Sequence, residues 1–110
     1  MKSRFQVAPV EQRTHNGRVF ASKREMARFV ELELLERAGA ISNLEYQPRF
    51  PVTINGQKFC TYTADAAYFA NGERVVEDSK STGTAKDAAY KLRKKAAELF
   101  HGIKVLEIIR

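Results

Sequence analysis

The stretch "TADAAYFANGERVVEDSK", residues 63–80, decides the fold. Two strand-like runs flank Asn71-Gly72. That dipeptide is the strongest short-range hairpin signal, because both central residues of a type I′ turn need positive φ. A two-residue loop pairs Ala70 with Glu73, and counting outward sets Asp65 opposite Asp78 and Thr63 opposite Lys80. Side chains alternate along a strand, so Asp65, Asp78 and Lys80 share one face. Like charges facing across a ladder cost about 0.2–1 kcal/mol at an open site, and burial raises the cost. Something positive belongs between them. Lys80 alone would make this an ordinary strand salt bridge. A divalent cation held by both carboxylates is the alternative, since hard Mg²⁺ takes oxygen ligands. A one-residue bulge would instead set Glu77 against Asp65 and turn Asp78 away, which makes Glu77 the rival ligand.

Outward from this hairpin, "NLEYQPRFPVTI" (43–54) and "QKFCTYTADAAYF" (57–69) read as extended segments joined at Asn55-Gly56. Two Asn-Gly turns predict a three-stranded meander. Pro48 and Pro51 place its first strand at an edge or break it. "SKREMARFVELELLERAG" (22–39) reads as a helix with a Ser22–Glu25 capping box, an apolar stripe of Met26, Phe29, Val30, Leu34 and Ala38, and Gly39 at its end. "TAKDAAYKLRKKAAELFHG" (84–102) predicts a second helix, which buries Ala85, Ala88, Ala89, Leu92, Ala96 and Leu99 and stops at Gly102. "IKVLEII" completes an α-β-β-β-α-β order, with its last two strands parallel. "THNGRVF" suggests a small hairpin at Asn16-Gly17. Residues 1–13 read as loosely ordered.

The 110 residues suit one mixed α/β domain, 44% hydrophobic and 29% charged. No apolar run reaches a membrane span, and the first residues lack the apolar core of a signal peptide. With Cys60 the only cysteine, cytoplasmic residence is the expectation. A net charge of +6 and a pI near 9.7 point to a polyanion, nucleic acid first.

The ordered set "NGRVFASKRE", "LLERAGAISNLEYQPRF", "YTADAAY" and "VVEDSK" resembles the PD-(D/E)XK nuclease superfamily. Within it, the set is similar to small phage and prophage proteins described as Holliday-junction-resolvase-like and, more distantly, to phage endonuclease I. Asp65 and Asp78-Ser79-Lys80 carry the match. Ala64 stands where the superfamily's name has proline, and Ser79 and Ser81 stand where an apolar residue and often a glycine are expected. The resemblance implies a restriction-endonuclease-like core with a mixed four-stranded sheet flanked by helices. It also implies Mg²⁺ or Mn²⁺ on Asp65, Asp78, the Ser79 carbonyl and Glu25, with Lys80 as the catalytic cation. Glu25 keeps two readings, metal ligand or capping residue. Gln47 lines the site in such families or is an ordinary strand residue. Lys86 and Tyr90, early in the second helix, lie near the substrate phosphate in this reading, and Arg93 and Lys94 touch the DNA backbone or solubilise the helix. The implied function is a metal-dependent endonuclease on branched DNA, acting as a homodimer with no membrane partner. The alternatives are a catalytically weakened DNA-binding or inhibitory module and a nicking or transposon-type nuclease.

Overall fold

Asn71 and Gly72 adopt φ of 53° and 78°, and the strands on either side, β6 (Ala66–Ala70) and β7 (Glu73–Lys80), pair antiparallel in the register read from the sequence. Ala70 meets Glu73 and Ala66 meets Glu77 without a shift. A computed structural model describes residues 8–80 and 87–109 of the chain. In chain order the other elements are a short hairpin of β1 (Thr14–His15) and β2 (Arg18–Val19), helix α1 (Lys23–Arg37), β3 (Ser42–Tyr46), β4 (Arg49–Ile54), β5 (Gln57–Thr63), helix α2 (Ala88–His101) and β8 (Val105–Ile109). Sheet order is β3-β6-β7-β8, with β7 and β8 parallel, so the mixed four-stranded sheet is present. No helix among the described residues is long and apolar enough to cross a membrane.

The two long extended segments do not run straight into the sheet. Each breaks, at Gln47-Pro48 and at Ala64-Asp65, and the breaks face one another. The Gln47 N–H donates to the Asp65 carbonyl at 3.0 Å and the Ala64 N–H to the Pro48 carbonyl at 3.1 Å. Pro48 cannot donate to a ladder, and Gln47 takes φ 48°. The meander therefore consists of β3, β6 and β7, with β3 as an edge strand. The β4–β5 hairpin is a separate two-stranded arm.

Each face of the sheet carries its own core. On one, α1 covers Ala66 and Tyr68 with Phe29, Leu32, Ile41 and Phe20. On the other, α2 and the arm bring Tyr90, Ala97, Phe50, Val52 and Tyr62 against Ala67, Val76 and Val105. The alternation of β7 divides between them: Val76 and Asp78 face the arm and α2, and Glu77 faces α1.

Helix α1 begins as expected. The Ser22 hydroxyl accepts from the Glu25 N–H at 3.1 Å. At its end Gly39, with φ 84°, lets Gly39 and Ala40 cap the last carbonyls. Leu34, expected in the core, is 55% exposed, and Leu32 is buried in its place. In α2 the apolar stripe is also out of phase. The helix is capped by the Asp87 side chain, which accepts from the Tyr90 N–H at 2.9 Å, and it buries Tyr90 and Ala97. Ala88, Ala89, Leu92 and Leu99 face outward. Alanine adds little apolar area, so the larger Tyr90 sets the phase. Ala85 lies outside the described residues. Near the start of the chain, Val10–Arg13 form a 3-10 turn. Arg13 ties that turn to the carbonyls of Ala8 and Phe20 at 2.8 and 2.6 Å, so the loose order expected over residues 1–13 does not extend to residues 8–13. Residues 1–7 lie outside the described residues.

Candidate active site

The β6–β7 ladder ends at Ala66–Glu77, and Asp65 is the next residue out. Its N–H still reaches the Glu77 carbonyl at 3.2 Å. Past the end of β6, the N–H of Ser79 is taken by the Asp65 carboxylate at 2.7 Å. A paired residue of an antiparallel strand sends its N–H and C=O to the same side, so the Ser79 carbonyl also leaves toward Asp65. Asp65 is thus fixed by backbone on both sides, at the point where the arm departs.

Asp78 is fully buried. Its Oδ2 accepts from the Tyr62 hydroxyl at 2.6 Å. Its Oδ1 has the Lys80 ammonium at 3.4 Å but makes no hydrogen bond of good geometry. Lys80 Nζ also lies 5.6 Å from the centroid of the Tyr90 ring. Burial, then the charge of Asp78, pushes the Asp65 carboxyl up to about 8, and the Lys80 charge only partly offsets this. Burial likewise raises Glu25, which Lys80 pulls back and Asp78 raises again. All four side chains expected at the site therefore act on one another electrostatically.

Glu25, Arg28, Gln47, Asp65 and Glu77 line one pocket. Among the described residues no hydrogen bond returns from the Glu25 carboxylate to Ser22, so only the Ser22 half of the capping box forms. What takes Glu77, the rival ligand, out of this role is its own set of partners, not the register, since the ladder stops at Ala66–Glu77 and the Asp65 N–H donates to the Glu77 carbonyl. Glu77 faces α1, where Arg28 grips both its oxygens, Nε to Oε1 at 2.8 Å and Nη2 to Oε2 at 3.0 Å, and the Tyr68 hydroxyl donates to Oε2 at 2.6 Å. These bonds raise the Arg28 pKa further. Burial and the bond to Glu77 push Tyr68 up to about 12.

Two expectations for the second helix change. Tyr90 is a core residue rather than a surface contact. Burial raises its hydroxyl pKa most, nearby Glu107 raises it further and Tyr62 lowers it, yet the hydroxyl makes no well-aligned hydrogen bond. Lys94 is half-buried with Glu98 at 4.0 Å, while Arg93 is exposed. Lys86 lies outside the described residues. Arg28, Tyr62 and Tyr68 went unrecognised in the sequence. Arg28 had a signal, since it sits one helical turn after Glu25 on the same face. Tyr62 had none, because the bend at Ala64-Asp65 breaks the alternation that would relate it to Asp78.

The donor set fits a hard divalent cation. Asp78 Oδ1 is buried without a hydrogen bond, Asp65 holds a proton that a cation would displace, and the Ser79 carbonyl adds a third oxygen. Among the described residues no three His, Cys, Asp or Glu side chains group closely enough to hold a metal by themselves. A cation here would rely on backbone oxygen and water besides the two aspartates, which suits Mg²⁺.

Tyr62→Phe keeps the shape of the core and removes the hydrogen-bond donor to Asp78. It is expected to lower stability by about 1–3 kcal/mol in urea titration, the usual penalty for a stranded buried acceptor.

One family model matches the chain, over residues 5–110, and its description is "Protein of unknown function (DUF1064)". No curated protein matches, and no solved structure does.

Proposed function

The chain belongs to the DUF1064 family, and we propose that it is a metal-dependent endonuclease that hydrolyses DNA phosphodiester bonds, with branched DNA such as a Holliday junction as its substrate. The observation that carries this reading is the desolvated Asp65–Asp78 pair with Lys80 against it. A charge-poor environment with two neighbouring acids is costly unless a cation completes it.

Asp65, Asp78 and the Ser79 carbonyl would hold Mg²⁺ or Mn²⁺ directly, with Glu25 supporting it through a bound water. When bound, such an ion supplies Lewis acidity and an activated water. Asp78 and the Tyr90 ring keep the Lys80 ammonium in place, so its charge is preorganised toward a phosphate whose charge grows in the transition state. Gln47, at the pocket rim, offers an amide to the same phosphate or its water. Arg93 and the neighbouring Lys91 and Lys95 are exposed and suit backbone contacts, with Lys86 as a further candidate. Affinity that rests on such contacts falls steeply with salt. A four-way junction has two symmetric strands to cut, which favours a homodimer, working in the cytoplasm, a host's if the protein is phage-encoded.

A second reading, a DNA-binding or inhibitory module with a weakened site, draws on Tyr62 occupying one Asp78 oxygen and on the absence of a third close carboxylate among the described residues. Four-way junction, nicked duplex and plain duplex incubated with Mg²⁺ or Mn²⁺ separate the two. Cleavage that stops with EDTA is the expected result. Tight binding without cleavage of any substrate would replace the nuclease with the module, and preference for plain duplex would keep the nuclease and lose the junction.

Glu25→Gln tests the other half of the pocket. The Ser22 cap uses only the backbone of residue 25, so helix stability is expected to change by less than about 0.5 kcal/mol. Cleavage is expected to fall at least tenfold, roughly the cost of a group that supports a bound metal. A drop in melting temperature with full activity would reduce Glu25 to a helix residue.

A further inference from the structure

The β4–β5 arm carries cations and no anions: between Glu45 and Asp65 the sequence has Arg49 and Lys58 and no acid. Its base is buried through Phe50, Val52 and Tyr62. Its outer part is shaped differently. The Asn55-Gly56 turn, with φ of 52° and 77°, closes it tightly. Just inside the turn the register slips, so that Val52 opposes Cys60 while Thr53 opposes Lys58. Phe59 is the extra residue. A bulge re-aims the side chain it displaces, and Phe59 is 48% exposed, with Ile54 beside the turn 53% exposed. Lys58 beside them is exposed as well, and Arg49 is exposed at the base of the arm.

We propose that the outer arm is a stacking platform for unpaired nucleobases, with Phe59 and Ile54 receiving bases and Lys58 holding an adjoining phosphate. An aromatic ring beside cations is the combination that binds single strands, since every base has a face to stack and every nucleotide a charge. A second copy of this chain is a poorer occupant, because at +6 it would meet the acid-free arm with like charge. The platform rests on DNA as the ligand and deepens the proposed function without depending on its chemistry. Gln47 and Ala64 tie the base of the arm by backbone bonds to Asp65 and Pro48. An enzyme so built would favour branched or frayed DNA, where bases are free to stack, over intact duplex.

The chain has no tryptophan, so Phe59→Trp installs a single reporter at an exposed position. With EDTA present, oligothymidylate and a splayed fork are expected to quench its emission, and blunt duplex to leave it nearly unchanged. Leu34→Trp, at an exposed position on α1 away from the arm and from the basic residues of α2, should not respond to oligothymidylate. Phe59→Ala should weaken oligothymidylate binding roughly 5- to 100-fold, the range found for loss of one base–aromatic stack. Unquenched emission while anisotropy reports bound oligothymidylate overturns the platform. So does a blue shift that grows with protein concentration in the absence of DNA, which would assign the arm to self-association. Failure of the wild type to cut any DNA with Mg²⁺ or Mn²⁺ would remove the nuclease and leave this result standing.

Discussion

Exchanging Asp65 for asparagine is expected to slow Mg²⁺-dependent junction cleavage about a thousandfold, the several kcal/mol that a metal-ligating group contributes to the transition state. At the same time the metal-free variant should melt higher than the wild type at pH 8. The second effect follows from the first residue's environment. Burial and then Asp78 push the Asp65 carboxyl up to about 8, against about 3.9 in an unfolded chain. Between those values the folded protein holds a proton that the unfolded chain has released. Stability is therefore fully present below about pH 4 and is lost as pH rises toward 8. Asparagine has no proton to lose and keeps an oxygen for the Ser79 N–H. The gain at pH 8 should be about 1–3 kcal/mol, well below the roughly 6 kcal/mol that a shift of about four units at about 1.4 kcal/mol each would give undiscounted, because Asp65 is partly open to solvent. Melting curves at pH 5 and pH 8, beside single-turnover cleavage, test both effects. A variant that cuts at the wild-type rate would end the nuclease reading. Added Mn²⁺ should flatten the wild-type pH slope and leave the variant unaffected.

Arg28→Ala is expected to be the most destabilising single change, at about 3–5 kcal/mol. Glu77 is 1% exposed, and Arg28 supplies both the opposite charge and two of its hydrogen bonds. Removal of the guanidinium strands a buried carboxylate with only Tyr68. A loss of that size would lower the melting temperature of a domain this small by roughly 15 °C or more. Replacing both partners, Arg28→Met with Glu77→Leu, should recover most of the loss, because no charge is then left uncompensated. Chemical denaturation of the two single variants and the double variant gives the coupling. Similar losses in all three would mean that packing, not the ion pair, holds α1 to the sheet.

The hairpin at Asn71-Gly72 was legible from Ala66 to Glu77, since a two-residue turn fixes register; one residue beyond, the Asp65 N–H donates to the Glu77 carbonyl and no ladder pair sets Asp65 against Asp78. The first helix, with Ser22 and Gly39 at its ends, and the parallel β7–β8 pair were legible for similar local reasons. What escaped the sequence was non-local. Pro48 warned of a break, but nothing between Gln57 and Phe69 signalled that the partner segment would break at Ala64-Asp65; the two bends hold each other. In α2 a run of alanines suggested the wrong face, because small side chains barely favour one phase over another. Tyr90 shows the cost of that ambiguity. It was expected on the DNA side and instead stacks inside, where it supports Lys80. The Arg28–Glu77–Tyr68 cluster joins three elements distant in sequence, so no local pattern could reveal it.

The facing bends have a consequence for how the protein wears out. Asp65 hangs from the arm by its carbonyl as well as from the sheet by its carboxylate and N–H, so fraying of the arm alone dismantles the carboxylate pair while both helices stay seated. Thermal inactivation should then begin below the main melting transition and reverse on cooling, with amide exchange at Gln47 and Ala64 as its earliest sign.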